Sequence, residues 1–123
     1  MKYLLSLFAA VFLLVSCSTA TQVSDKAEVS VKEMVKDPET TLVDVRVPEQ
    51  FADKTANGAV NIPLATIQDN IDFFRKQKNI VVFCNSGKQA GEAMEILKKN
   101  GILNVYYGKT LKNVQAIQNE NPK

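Results

Sequence analysis

The chain has no histidine among its 123 residues, and that absence decides more than any residue present. It excludes Ser-His and Cys-His catalysis, in which an imidazole takes the nucleophile's proton. It also removes the commonest zinc ligand, and two cysteines far apart in the chain do not replace it. Any nucleophile must therefore be activated by backbone dipoles or by cations. Charge of one sign is also scarce. Fifteen Lys+Arg against 13 Asp+Glu leave a formal net charge of +2, and the lysines are scattered rather than clustered. That is no electrostatic footprint for nucleic acid. No apolar run reaches the ~20 residues needed to span a bilayer, and there is no internal repeat. What remains is 46% apolar and 23% charged residues, the balance of one ordinary globular domain.

Met1-Lys2 is a positive start and Tyr3 to Val15 an apolar run, the pattern of a secretory signal. Leu14-Val15-Ser16-Cys17 resembles a bacterial lipobox, whose cysteine is lipidated and becomes the mature first residue. The alternative is ordinary signal-peptidase cleavage that leaves Cys17 a spare thiol. On the lipoprotein reading, residues 1–16 are the signal peptide, 17–26 a Ser/Thr/Gln-rich flexible tether and 27–123 the domain. Ser18 after the anchor fits the enteric sorting rule for the outer membrane, so the expected location is an outer-membrane anchor facing the periplasm. The membrane is then touched through lipid alone. Exported compartments are oxidising. With Cys17 lipidated, Cys84 has no partner within the chain, and a lone thiol there is either buried and inert or used.

Along the domain, Glu28-Val29-Ser30 reads as a short edge strand, and Ser30 with Glu33 has capping-box spacing before Val31, Met34 and Val35. Asp37-Pro38 ends that helix. Thr41 to Arg46 alternates as a strand, with Leu42 on one face and Val43 and Val45 on the other. Pro48 to Phe51 is a helical turn with proline at its first position, and Ala59 to Ile62 a short strand stopped by Pro63. Leu64, Ile67, Ile71 and Phe74 predict a helix over 64–77. Asn79 to Phe83 is the most apolar strand. Lys88 to Asn100 is a helix with Met94 and Leu97 inward and Asn100-Gly101 as its stop signal. Asn104 to Tyr107 is a strand, and Thr110 caps a last helix built on Leu111, Val114 and Ile117. Alternating strands and helices predict an α/β domain, a parallel sheet with helices on both faces.

The stretch Ile80 to Gly91, IVVFCNSGKQAG, stands out. Cys84 sits where a strand gives way to a helix, so that free backbone N–H groups of the loop and first turn face its sulfur. Such a setting binds anions and favours a reactive thiolate. In parallel sheets ligands bind beyond the carboxyl ends of the strands. Cys84 ends one strand and Asp44 and Arg46 end another, so the fold brings both to one rim. Plainer readings exist for each. Cys84 is then a core cysteine, and Asp44 and Arg46 form a structural charge network, the better reading of that pair. Lys88 is then a solvated lysine, although cations are disfavoured at a helix N-terminus. Asn85, Ser86 and Gln89 matter through their backbones alone.

LVDVRVPEQF, GAVNIPL and VVFCNSGKQAGEAMEIL, in that order, resemble the single-domain rhodaneses over about Val29 to Val114. The resemblance implies a rhodanese-like fold with an about five-stranded parallel sheet between helices. It implies a sulfurtransferase in which Cys84 takes sulfane sulfur from thiosulfate as a persulfide and passes it to cyanide or a thiol. The loop of Asn85, Ser86, Gly87, Lys88, Gln89 and Ala90 would hold the persulfide. Gly87 lets the loop curl and Lys88 attracts an anionic donor. No metal or organic cofactor is implied, and a monomer is expected. Many relatives carry arginine where Lys88 or Gln89 stands, and lysine lacks arginine's planar fork. The alternative is therefore a non-catalytic rhodanese-like module that binds a partner or accepts sulfur from one; a redox-sensing thiol is a third reading. Related phosphatases place arginine where Ala90 stands, which excludes that activity.

Overall fold

Parallel sheets covered on both faces need strands that are apolar on both sides, and the two middle strands meet that need. In the computed structural model, which describes residues 31–120, β1 is Thr40–Asp44 and β3 is Asn79–Cys84. From Ile80 to Cys84 every side chain of β3 is buried. β2 (Val60–Asn61) pairs with the outer side of β1, and β4 (Val105–Thr110) with the outer side of β3. All pairings are parallel, in the order β2-β1-β3-β4.

Helices cover both faces. Residues 31–36 form α1, followed by α2 (Pro48–Asp53), α3 (Ile71–Arg75), α4 (Lys88–Lys99) and α5 (Leu111–Gln118). Val43, Val45, Ile80 and Val82 pack beneath Ile71 and Phe74 of α3 and Ala90, Ala93 and Leu97 of α4. Leu42, Val81 and Phe83 point the other way, against Val35 of α1 and Leu111, Val114 and Ile117 of α5. Burying each such aliphatic or aromatic side chain contributes about 1.5–3 kcal/mol. The α/β architecture predicted from the alternating pattern, a parallel sheet with helices on both faces, is therefore present.

Four strands lie among the described residues, against an expectation of about five. The predicted strand at Glu28–Ser30 and its capping serine lie outside those residues, as do the signal peptide, Cys17 and the tether. No helix among the described residues is long and apolar enough to cross a membrane.

The helix predicted over 64–77 is broken. Two 3-10 turns, Leu64–Thr66 and Gln68–Asn70, precede the short α3. Polar side chains compete for the backbone there: Thr66 Oγ1 donates to the Pro63 carbonyl at 3.0 Å and Asn70 Nδ2 to the Thr66 carbonyl at 2.8 Å. Ile67, Ile71 and Phe74 are nevertheless buried, so the apolar period marked the inward face while missing the break. α4 ends as expected. The Gly101 amide bonds the Lys98 carbonyl and the Ile102 amide the Leu97 carbonyl, each at 3.0 Å, with Gly101 at φ +79°. Thr110 Oγ1 accepts from the Asn113 amide at 3.0 Å and caps α5.

β4 runs past its predicted end at Tyr107 to Thr110, through a bulge. Val82 faces Tyr107 but Phe83 faces Lys109, so Gly108 is the extra residue. A Cβ on Gly108 would lie 2.7 Å from Val81 Cγ1 and 2.9 Å from the Val82 carbonyl oxygen, which only glycine avoids. The sheet order also sets the site. From β1 the chain turns toward β2, and from β3 toward β4, so the loops part between Asp44 and Cys84 and leave a crevice.

Gly108→Ala should destabilise the fold by about 1–3 kcal/mol through overpacking. Gly91→Ala, in open space on α4, should stabilise it by about 0.5–1 kcal/mol. Urea denaturation of both variants tests this, and an equal effect at the two positions would contradict it.

Candidate active site

The core strand β3 delivers Cys84 to the crevice floor, where the residue is 1% exposed. Asn85-Ser86-Gly87 then turns the chain into α4, with Gly87 at φ +95°. A Cβ at Gly87 would meet the Tyr107 hydroxyl and lie 3.1 Å from Lys109 Cγ, and the positive φ itself calls for glycine. The turn aims amides inward. The Gly87 N–H donates to Cys84 Sγ at 3.0 Å and the Ala90 N–H at 3.4 Å. These donors belong to the first turn of a 12-residue helix, whose opening amides have no intrahelical partner and whose dipole favours negative charge. On its other side the thiol donates to the Lys109 carbonyl at 3.7 Å.

Of the amides from Asn85 to Ala90, then, those of Gly87 and Ala90 bond the sulfur. The Lys88 amide donates instead to Ser86 Oγ at 3.4 Å. The side chains of Asn85, Ser86, Lys88 and Gln89 are exposed at the crevice rim.

Asp44 and Arg46 lie at the end of the neighbouring strand β1. Both are buried, and Arg46 Nη2 lies 2.7 Å from Asp44 Oδ2. Asp44 also accepts from the Arg46 amide (3.0 Å), Arg46 Nε (2.9 Å) and Thr55 Oγ1 (2.9 Å). The guanidinium reaches further, to the Gln50 and Lys54 carbonyls at the end of α2 and, through Nη1, to Asn85 Oδ1 at 3.1 Å. The pair thus locks α2 and the cysteine loop to β1. The Asp44 hydrogen bond raises the Arg46 pKa above its ordinary value. Burial opposes the rise, and the negative charges of Asp44, Cys84 as thiolate and Asp53 add to it. A permanent positive charge is therefore held within electrostatic range of the sulfur.

Four contributors were not singled out in the sequence. Thr55 and Asn61 support the Asp44–Arg46 pair; Asn61 Nδ2 donates to the Asp44 carbonyl at 3.0 Å and the Arg46 carbonyl at 2.9 Å. Tyr107 Oη donates to the Gly87 carbonyl at 2.8 Å, and Lys109 lies against the loop. Nothing local marks Thr55, Asn61 or Tyr107. Lys109 had one signal: it follows Gly108 at the end of a strand destined to lie beside Cys84.

The arrangement suits a sulfur that carries negative charge without a side-chain base: two amides on it, a helix dipole behind it and a buried guanidinium nearby. Among the described residues, no group of three or more His, Cys, Asp or Glu is placed to hold a metal ion.

Comparison with known proteins gives the same direction. A family model described as rhodanese-like domain matches residues 28–110. The chain is 40% identical over 74 residues to the thiosulfate sulfurtransferase PspE of Escherichia coli K12, covering 58% of this chain and 71% of that one. A solved rhodanese with anions from E. coli superposes with TM-score 0.55 at 39% identity, over 60% of this chain and 89% of the other. The human single-domain sulfurtransferase TSTD1 shares the fold at 19% identity, with TM-score 0.57 over 76% of this chain and 94% of that one.

Removing Asp44 leaves a buried guanidinium unpaired. Asp44→Ala should cost about 3–5 kcal/mol, read from the urea midpoint. A loss below 1 kcal/mol would mean that water readily solvates Arg46 and that the pair does not organise the rim.

Proposed function

The chain belongs to the rhodanese-like domain family, and on that footing we propose that it is a thiosulfate sulfurtransferase acting through a persulfide on Cys84. The observation that carries the reading is the pair of amides, Gly87 at 3.0 Å and Ala90 at 3.4 Å, on a buried cysteine sulfur. In the first step the Cys84 thiolate attacks the outer sulfur of thiosulfate. A bond forms between Sγ and that sulfur, and the donor's S–S bond breaks, its electron pair leaving with sulfite. In the second, cyanide or a thiolate attacks the transferred sulfur, a bond forms between the acceptor and that sulfur, and the Sγ–S bond breaks, its electron pair returning to Sγ as the thiolate.

Each anionic state needs donors already in place, because no imidazole is available to share a proton. The loop from Asn85 to Ala90 provides them through its backbone. Asp44 and Arg46 act as positioning residues: the bond from Arg46 Nη1 to Asn85 Oδ1 ties the cysteine loop to the end of β1. Lys88, exposed at the start of α4, adds positive charge for an anionic donor. The relationship to PspE and to a rhodanese solved with anions supports the donor class.

The cellular setting is part of the same proposal. Residues 1–16 act as a lipoprotein signal, Cys17 carries lipid, and residues 17–26 tether the domain at 27–123 to the outer membrane's periplasmic face. Cys17→Ser should move the protein from the membrane fraction to the soluble fraction of an expressing bacterium. Unchanged fractionation would sink the anchor.

Protein treated with thiosulfate should gain one sulfur atom on the peptide containing Cys84, read by intact and peptide mass spectrometry. Cys84→Ala should gain none and should lose transfer to cyanide entirely. Lys88→Glu should raise KM for thiosulfate by about tenfold with less effect on kcat. If the wild type takes up no sulfur, the chain is a binding module that keeps the fold without the turnover.

A further inference from the structure

The mechanism above leaves one unusual residue at the site unused. Lys109 has φ +68° and is the only residue other than glycine with positive φ among the described residues. A side chain in that region is strained in a way that glycine would avoid. The bulge at Gly108 forces the conformation, and its effect is to turn the Lys109 carbonyl onto Cys84 Sγ at 3.7 Å. The side chain of the same residue runs back along the loop. Its Cγ lies 3.1 Å from where a Cβ on Gly87 would be, and Gly87 is the nearest donor to the sulfur. The residue is exposed, and no carboxylate lies within salt-bridge range of its ammonium among the described residues. An uncommitted cation is therefore carried on a stem packed against the persulfide loop, on the side facing β4. Lys88 follows Gly87 directly in the chain, so the two lysines flank the same glycine.

We propose that Lys109 is a specificity-determining residue that recruits the anionic sulfur donor to Cys84. The ammonium attracts the doubly charged thiosulfate to the rim and leaves the uncharged part of the loop to receive the transferred sulfur. Strain is accepted at Lys109 because its side chain supplies a charge beside the entrance. A glycine would supply the carbonyl alone. This inference rests on the proposed sulfur transfer for its choice of anion, but its test does not require turnover.

The test measures thiosulfate affinity by NMR shift titration in the Cys84→Ala background, where no sulfur can be transferred. Adding Lys109→Gly should weaken binding about fivefold, the effect of losing one close charge interaction in water, and should raise the melting temperature by relieving the positive φ. Lys109→Met keeps the stem and the strain but not the charge, and should weaken binding equally. Lys109→Arg should restore it. In the Cys84-containing protein the same variants should raise KM for thiosulfate and leave kcat nearly unchanged. Equal thiosulfate affinity in the Lys109→Met and parent proteins would overturn the role of the ammonium. Failure of the wild type to form a persulfide, with Lys109-dependent binding intact, would overturn the sulfur transfer and not this assignment.

Discussion

The buried pair Asp44–Arg46 is the interaction on which the site depends. Burying two charges is costly, and the cost is offset only when both are fully hydrogen-bonded. Here the carboxylate accepts from a backbone amide, the guanidinium and the Thr55 hydroxyl. The guanidinium meets that carboxylate, two carbonyls of the α2 segment and Asn85. The result is a single rigid node that joins the end of β1, the end of α2 and the loop after β3. It also holds positive charge near the sulfur in a protein without histidine. The plainer reading of the pair, as a structural charge network, is what the hydrogen bonds describe.

Placing amides on a cysteine sulfur has a structural price, set by the need for close approach. Backbone donors reach a sulfur only if the chain curls tightly, and that calls for glycine at Gly87, where the turn is left-handed and a Cβ would meet the Tyr107 hydroxyl. The donors are then fixed by the first turn of α4 and by the Tyr107 hydrogen bond to the Gly87 carbonyl. They need no reorganisation when charge appears on the sulfur, which is the condition under which such donors are most effective.

The β3–β4 pairing contributes from the other side. Because of the bulge at Gly108, the strand passes Cys84 with its Lys109 carbonyl turned inward and the lysine side chain left at the loop. A regular ladder would have put a different residue opposite Phe83. One inserted glycine therefore changes which groups surround Cys84.

Much of this was legible in the chain because it is encoded between near neighbours. The alternation at Leu42, Val43 and Val45 assigned their faces, the Asn100-Gly101 pair marked a helix end, and Thr110 marked a helix start, since each depends on bonds spanning a few residues. The strand-to-helix junction at Cys84 was equally local. The break in 64–77 was not, because period alone does not report side chains such as Thr66 and Asn70 competing for the backbone. Register, bulge and long-range contact were decided only by the tertiary structure. Tyr107 meets Gly87 from 20 residues away, and Arg46 meets Asn85 across 39. No periodicity encodes such encounters. Sequence by itself determined the α/β sheet and set Cys84 at a strand-to-helix junction; packing decided which two amides bond its sulfur and which lysine lies beside them.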